Sequence, residues 1–243
     1  MKLTNTAAFV TGANRGIGRA FVDELLAAGV ARVYAAARNP DGLGELVKTS
    51  GGRVVAVALD VTKPDQVAAA AKNADVTLLI NNAGVAHISG LVSADSTDIA
   101  RKEMETNYFG VLNMVRAFAP VLAKNGGGAI VNIASIASLV NFPPLGSYSA
   151  SKAAVHSLTQ GIRAELAGQG TQVTGVYPGP VDTDMAAGIS MEKISPREVA
   201  KAVLAAVEAG EEDVFPDSVA VDMHAAGLAD PKALEKMAAE MEL

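Results

Sequence analysis

AIVNIASIASLVNFPPLGSYSASKAAVHSLTQGIRAEL, residues 129–166, carries both halves of the pattern that decides the fold. Its first five residues are a short apolar run with Val and Ile, which suits a strand buried on both faces. Ser135 stands where that strand ends, and Pro143, Pro144 and Gly146 break the loop that follows. A helix begins near Ser147, with Val155, Leu158, Ile162 and Leu166 on one stripe.

The same alternation runs outward in both directions. Apolar runs at 7–11, 32–37, 54–59, 76–81, 129–133 and 173–177 read as strands. Helical patterns fall at 17–28, 42–49, 65–72, 96–124, 147–167 and 196–209. This rhythm predicts a parallel sheet covered by helices on both faces, doubly wound, with ligands at the carboxyl ends of the strands. The 96–124 pattern contains Pro120, which removes one ladder bond and is expected to kink or loosen the helix there. Asn107 lies mid-helix among apolar neighbours, so its amide is expected to be buried and to need partners. Beyond residue 211 the pattern is less regular. A short last strand at 213–215 and a terminal helix at 231–241 are expected.

Chemistry is legible in two places. Tyr148 and Lys152 are four apart on the predicted helix, about 6 Å of rise, so both point the same way. A nearby ammonium favours a phenolate and is expected to pull the Tyr148 pKa down from its usual ~10. The pair then serves as a general acid and base, with the Ser135 hydroxyl opposite to hold a carbonyl or alcohol oxygen. The second place is TGANRGIG, residues 11–18, between the first strand and the first helix. Gly12 permits the tight exit from the strand. Gly16 and Gly18 let the backbone approach a pyrophosphate and let the helix pack closely. The helix N-terminus offers free N–H groups to an anion. At the end of the second strand, where an NAD site carries an acid, the sequence has Ala37, Arg38 and Asn39. Arg38 and Arg15 together suit a 2′-phosphate, and NADP(H) is expected over NAD(H).

Composition narrows the rest. The 243 residues carry a net charge of −6 and no basic block, which argues against nucleic acid and anionic membrane surfaces as partners. No apolar run has the length of a membrane span, and the N-terminal apolar stretch is short for a signal peptide, so a cytoplasmic location is expected. There is no Cys, which removes thiol catalysis and disulfides, and His87, His156 and His224 are scattered, so no metal is expected.

TGANRGIG, then NNAG at 81–84, Asn107 in ETNYFG, Ser135, YSASK at 148–152 and PG at 178–179, in that order, resemble the classical short-chain dehydrogenase/reductase family across residues 1 to about 210. The resemblance implies one Rossmann-type domain over 1–243, a three-layer α/β/α sandwich with a mostly parallel seven-stranded sheet. It also implies a short lid near 184–195 and a C-terminal extension at 211–243. Tyr148 would be the catalytic acid/base, Lys152 would tune it and bind the nicotinamide ribose, Ser135 would polarise the substrate oxygen, and Asn107 would join a water relay and fix the helix kink. Gly12, Asn14, Arg15, Gly16, Ile17 and Gly18 would hold the pyrophosphate side, and Arg38 the 2′-phosphate. Asp60 and Val61 would contact adenine, Asn81, Ala83 and Gly84 would line the adenosine side, and Pro178, Val181 and Thr183 would surround the carboxamide. The implied activity is reversible hydride transfer between NADP(H) and a small-molecule ketone or aldehyde, in a homodimer or homotetramer. Val85, His87, Ile136, Ala137, Val140, Phe142, Leu145 and Met185 are the candidate pocket, mostly apolar. A biosynthetic ketoreductase, a sugar or polyol dehydrogenase and a non-catalytic NADP-sensing regulator are the rival readings. The chain departs from the family pattern in a short 60–81 segment, a brief segment after Thr183 and a tail without the usual ending. The first predicts a shortened helix near 65–72.

Overall fold

The computed structural model describes residues 1–241. Seven parallel strands form one sheet, in the order β3-β2-β1-β4-β5-β6-β7. They are β1 (Ala7–Thr11), β2 (Arg32–Ala37), β3 (Val54–Ala58), β4 (Leu78–Asn81), β5 (Ala129–Ile133), β6 (Gln172–Val176) and β7 (Asp213–Val214). β1, β4 and β5 are buried along their whole length. That is why they read as unbroken apolar runs rather than alternating ones. The chain winds outward from β1 through β2 to β3, then returns to place β4 on the other side of β1. The β1–β4 seam is therefore the switch point of the sheet, where its carboxyl edge opens into a crevice.

Helices cover both faces. On one face lie α1 (Gly16–Ala27), α2 (Gly44–Thr49) and α7 (Pro196–Ala209), whose Phe21, Leu25, Leu46, Val203 and Val207 join one core cluster. On the other lie α3 (Pro64–Ala70), α5 (Gly110–Lys124) and α6 (Gly146–Leu166), with Val67, Met114, Phe118, Val155 and Ile162 in a second. α7 starts on a capping box in which Ser195 and Glu198 satisfy each other's backbone N–H groups, and stops at Gly210 with φ of 82°. α3 is only 7 residues long, as the short 60–81 segment predicts.

Two elements differ from the sequence reading. The 96–124 pattern is not one helix loosened at Pro120. It divides into α4 (Asp98–Glu103), a π-helical segment (Met104–Phe109) and α5, and Pro120 lies inside α5 without ending it. The irregular turn falls at Asn107, whose amide is drawn sideways to partners outside the helix. The tail is also more regular than its pattern. α8 (Ser218–Ala229) and α9 (Pro231–Glu240) follow β7 and pack against Ile136, Ala137 and Phe142 as a third cluster. The apolar residues of α8 fall all round its axis, so no stripe marks it in the sequence.

The second core centres on Phe118, fully buried, with its ring centroid 4.8 Å from that of Phe9 on β1. Phe118→Ala is expected to lower the unfolding free energy by about 3–5 kcal/mol, read from urea unfolding of the cofactor-free protein.

Candidate active site

The crevice at the carboxyl edge is a cleft of about 1050 Å³ that runs from the glycine loop to the N-terminal turn of α6. Its nucleotide end is shaped by close approach. Gly12 (φ +66°) and Gly16 (φ +54°) lie in the left-handed region that favours glycine. A Cβ on Gly18 would fall 2.1 Å from the Gly12 carbonyl oxygen, so only glycine lets α1 pack this closely on the loop. No side chain caps the N-terminus of α1, and its first N–H groups are left for an anion.

Asn82, absent from the predicted site, fastens this loop. Its Nδ2 donates to the carbonyls of Thr11 (2.9 Å) and Gly12 (3.2 Å). Thr11 Oγ1 in turn accepts the backbone N–H groups of Asn82 (2.9 Å) and Ala83 (3.0 Å), stitching the β1–β4 seam shut just below the crevice. Asn81 is the correction. It is buried in β4, donates from Nδ2 to Asn132 Oδ1 at 2.9 Å and stands outside the cleft. The period of the strand explains this: one residue earlier means the opposite face. The other predicted cofactor residues, Asn14, Arg15, Ile17, Arg38, Asp60, Val61, Ala83, Gly84, Pro178, Val181 and Thr183, all line the cleft with Gly12 and Gly16, and Gly18 lies directly beneath it.

Two arginines frame the nucleotide end. Arg38 follows β2 and lies beside Asp60. Burial works to raise the Asp60 carboxyl, but hydrogen bonds from the Thr62 backbone and hydroxyl and the charge of Arg38 outweigh it and hold it below the ordinary value. Arg15 reaches across the cleft mouth to Asp184 at 2.7 Å, with side chains 64% and 77% exposed. A pair that open is worth little, so Arg15 is readily given up to a stronger anion.

At the inner end Tyr148, Lys152 and Ser135 converge. Ser135 caps a short 3₁₀ turn, its Oγ accepting the Ala137 N–H at 3.1 Å. That contact uses one of the two lone pairs of the hydroxyl and leaves its proton free to point elsewhere. Lys152 is buried and donates from Nζ to the Ile133 carbonyl at 2.7 Å, with Nζ 5.7 Å from the centre of the Tyr148 ring. The direction in which the Tyr148 pKa moves is opposite to the lowering expected from the spacing. Burial pushes Tyr148 up to about 12, the Ser135 hydroxyl acts in the opposite direction, and Glu103 adds to the rise. Burial also brings Lys152 down to about 8. Two groups taken from water together each favour the neutral form.

Asn107 holds the loop after β4. Its Oδ1 accepts the Val85 N–H and its Nδ2 donates to the Val85 carbonyl, both at 2.9 Å, with a second Nδ2 bond of 2.9 Å to Ser151 Oγ. Its direct contacts are thus structural. Gly84 lies between Asn107 and Lys152: a Cβ there would stand 3.2 Å from Asn107 Oδ1 and 3.7 Å from Lys152 Nζ. Of the predicted substrate pocket, Val85, Ile136, Ala137, Phe142, Leu145 and Met185 line the cleft. Val140 packs behind it among the third cluster, and His87 turns away to Glu103.

Residues 6–193 match the family model for short chain dehydrogenases. An uncharacterised oxidoreductase of Staphylococcus aureus (strain MRSA252) is 36% identical over 214 residues, 84% of this chain and 92% of that protein. A short chain dehydrogenase from Burkholderia cenocepacia J2315, solved in complex with NADP, superposes with a TM-score of 0.93 at 44% identity, over 98% of this chain and 99% of that one. A short chain dehydrogenase/reductase from Burkholderia phymatum, in complex with NAD, gives 0.88 at 26% identity over the full length of both.

Lys152 sets a pH signature for this site. With a folded pKa of about 8 against an ordinary 10.5, the folded chain sheds a proton that the unfolded chain keeps. Stability of the cofactor-free protein is therefore expected to rise between about pH 8 and 10, and thermal melts of Lys152→Met to lack that rise. Glycine loop, Ser135, Tyr148 and Lys152 on one crevice at the switch point, together with the matched family model, show that the chain is an oxidoreductase belonging to the short-chain dehydrogenase/reductase family.

Proposed function

We propose that this protein is an NADPH-dependent carbonyl reductase and alcohol dehydrogenase, acting reversibly on a hydrophobic ketone or aldehyde. The observation that carries the reading is the meeting of Ser135, Tyr148 and Lys152 at one end of a cleft whose other end is the glycine loop. The cofactor, when bound, supplies the hydride. Tyr148, held near 12, keeps its proton at neutral pH and is placed to give it to the alkoxide that develops on the substrate. Ser135, its Oγ anchored by the Ala137 N–H, donates its proton to the same oxygen. Lys152 spends one N–H on Ile133 and keeps others for a ribose hydroxyl and the phenolate left behind.

NADP(H) is favoured over NAD(H) by Arg38 at the end of β2 where an acid would repel a phosphate, and by Arg15 within reach of the same corner. The Burkholderia cenocepacia neighbour bound to NADP supports the choice, although the more distant Burkholderia phymatum neighbour binds NAD. An apolar substrate is favoured by Ile136, Phe142, Leu145 and Met185, which offer little to a polyol. We read the chain as one domain, with 184–195 as the lid and 211–243 as an extension. Exposed Leu91, Val92 and Phe109 favour a homodimer or homotetramer. No helix among the described residues is long and apolar enough to cross a membrane, in keeping with a cytoplasmic enzyme.

Tyr148→Phe is expected to cut NADPH oxidation across a panel of aryl and aliphatic ketones by about 10²- to 10⁴-fold while NADPH fluorescence still reports binding. Ordinary turnover in that variant would refute the acid. Arg38→Ala is expected to raise KM for NADPH about tenfold or more and to leave KM for NADH nearly unchanged, since one charge-assisted phosphate contact is lost. Equal losses for both cofactors would remove the 2′-phosphate assignment.

A further inference from the structure

Glu103, the last residue of α4, is 0% exposed. Its Oε1 accepts the His87 backbone N–H at 2.8 Å and faces His87 Nδ1 at 3.2 Å, and its Oε2 accepts the Ser147 hydroxyl at 2.5 Å. Four residues on, Asn107 repeats the arrangement with Val85 and Ser151. Each side chain thus reaches one residue of the loop after β4, at 85 or 87, and one serine of α6, at 147 or 151. The two rungs have the same offset of 44 residues. Ser147 directly precedes Tyr148 and Ser151 directly precedes Lys152, so the ladder grips α6 beside both reactive groups. A helix held at two points one turn apart cannot rotate about its axis. A buried carboxylate is costly to keep unless it is well bonded, and a neutral glutamine would fill the same space at less cost.

We propose that Glu103 is a positioning residue of the reaction: it fixes the phase of α6 and the course of the 85–87 loop. This rests on the carbonyl-reductase reading for its chemical part, while the ladder stands apart from it. The groups that face Tyr148 are Ser135 from the loop after β5 and Lys152 on its own helix. Those that face Glu103 are His87 from the loop and Ser147 from α6. Burial is the larger reason that Tyr148 titrates high, and the Glu103 charge acts in the same direction.

The test compares Glu103→Gln, Glu103→Ala and Ser147→Ala with the parent. Glutamine keeps an acceptor for the His87 N–H and a partner for Ser147 but removes the charge. Its kcat at neutral pH is expected to stay within about threefold of the parent, because the geometry that fixes orientation is kept. Glu103→Ala is expected to lower kcat on the order of tenfold or more with KM for NADPH unchanged. It should also speed amide exchange in both 85–90 and 146–152, and Ser147→Ala should do so mainly in 146–152. A Gln variant whose kcat falls as far as that of the Ala variant overturns the positioning role. Unchanged exchange in the Ala variant, or in Ser147→Ala should Glu103→Ala not fold, overturns the ladder. Exchange needs no turnover, so a parent that reduces no ketone defeats the reductase reading while the ladder is still decided.

Discussion

The rotational setting of α6 is the constraint on which the site depends. Residues of a helix are about 100° apart, so a slip of one position would swing Tyr148 out of the cleft. The setting is made from three sides. Val155, Leu158, Ile162 and Leu166 bury one stripe against the sheet. Asn132 on β5 donates to Thr159 Oγ1 at 3.0 Å, a polar pin inside an otherwise apolar layer. Lys152 Nζ reaches the Ile133 carbonyl, so the lysine to which we assign a chemical role also ties the helix to β5. The polar contacts are directional where apolar packing is not, and they select one phase among several that would bury similar area.

The same economy governs the nucleotide end. The β1–β4 seam has to open for a ligand yet stay closed beneath it. Thr11 Oγ1 accepts two consecutive backbone N–H groups of the chain leaving β4, and Asn82 returns two bonds to the carbonyls of the chain leaving β1. Backbone groups that lose their ladder partners at the end of the sheet are thereby satisfied by two side chains. The free N–H groups of α1 are what remains, and a helix N-terminus left open in this way suits an anion.

Most of this was legible in the sequence because it is local. Strands buried on both faces show as apolar runs, glycines with positive φ show as glycines, and Tyr148 and Lys152 lie on one helix. What was hidden depends on distant partners. NNAG names two asparagines but not which one leaves the strand facing the loop; the boundary at Asn81 decides it. Glu103 sits in RKEMETN, which reads as a solvated helix face until the loop carrying His87 and the start of α6 close over it. The π-helical turn follows from Asn107 bonding sideways, and a propensity argument fixed on Pro120 looks in the wrong place. The high Tyr148 pKa is likewise a property of burial, which residue spacing does not report.

Substrate choice is the least local feature, and the geometry says why. Ile136, Ala137 and Phe142 line the part of the cleft where we propose that the substrate lies, and α8 and α9 pack behind them through Ala220, Met223, Leu234 and Ala238. The shape of the pocket is thus set by helices some eighty residues away in a segment outside the family match, which ends at residue 193. A site whose chemistry is fixed by α6 and whose shape is fixed by the tail can change one without disturbing the other. On this view the small residues of the tail are as much part of specificity as the side chains that touch the cleft. A volume change at Ala220 or Ala238, both fully buried, would move the wall rather than the catalytic groups.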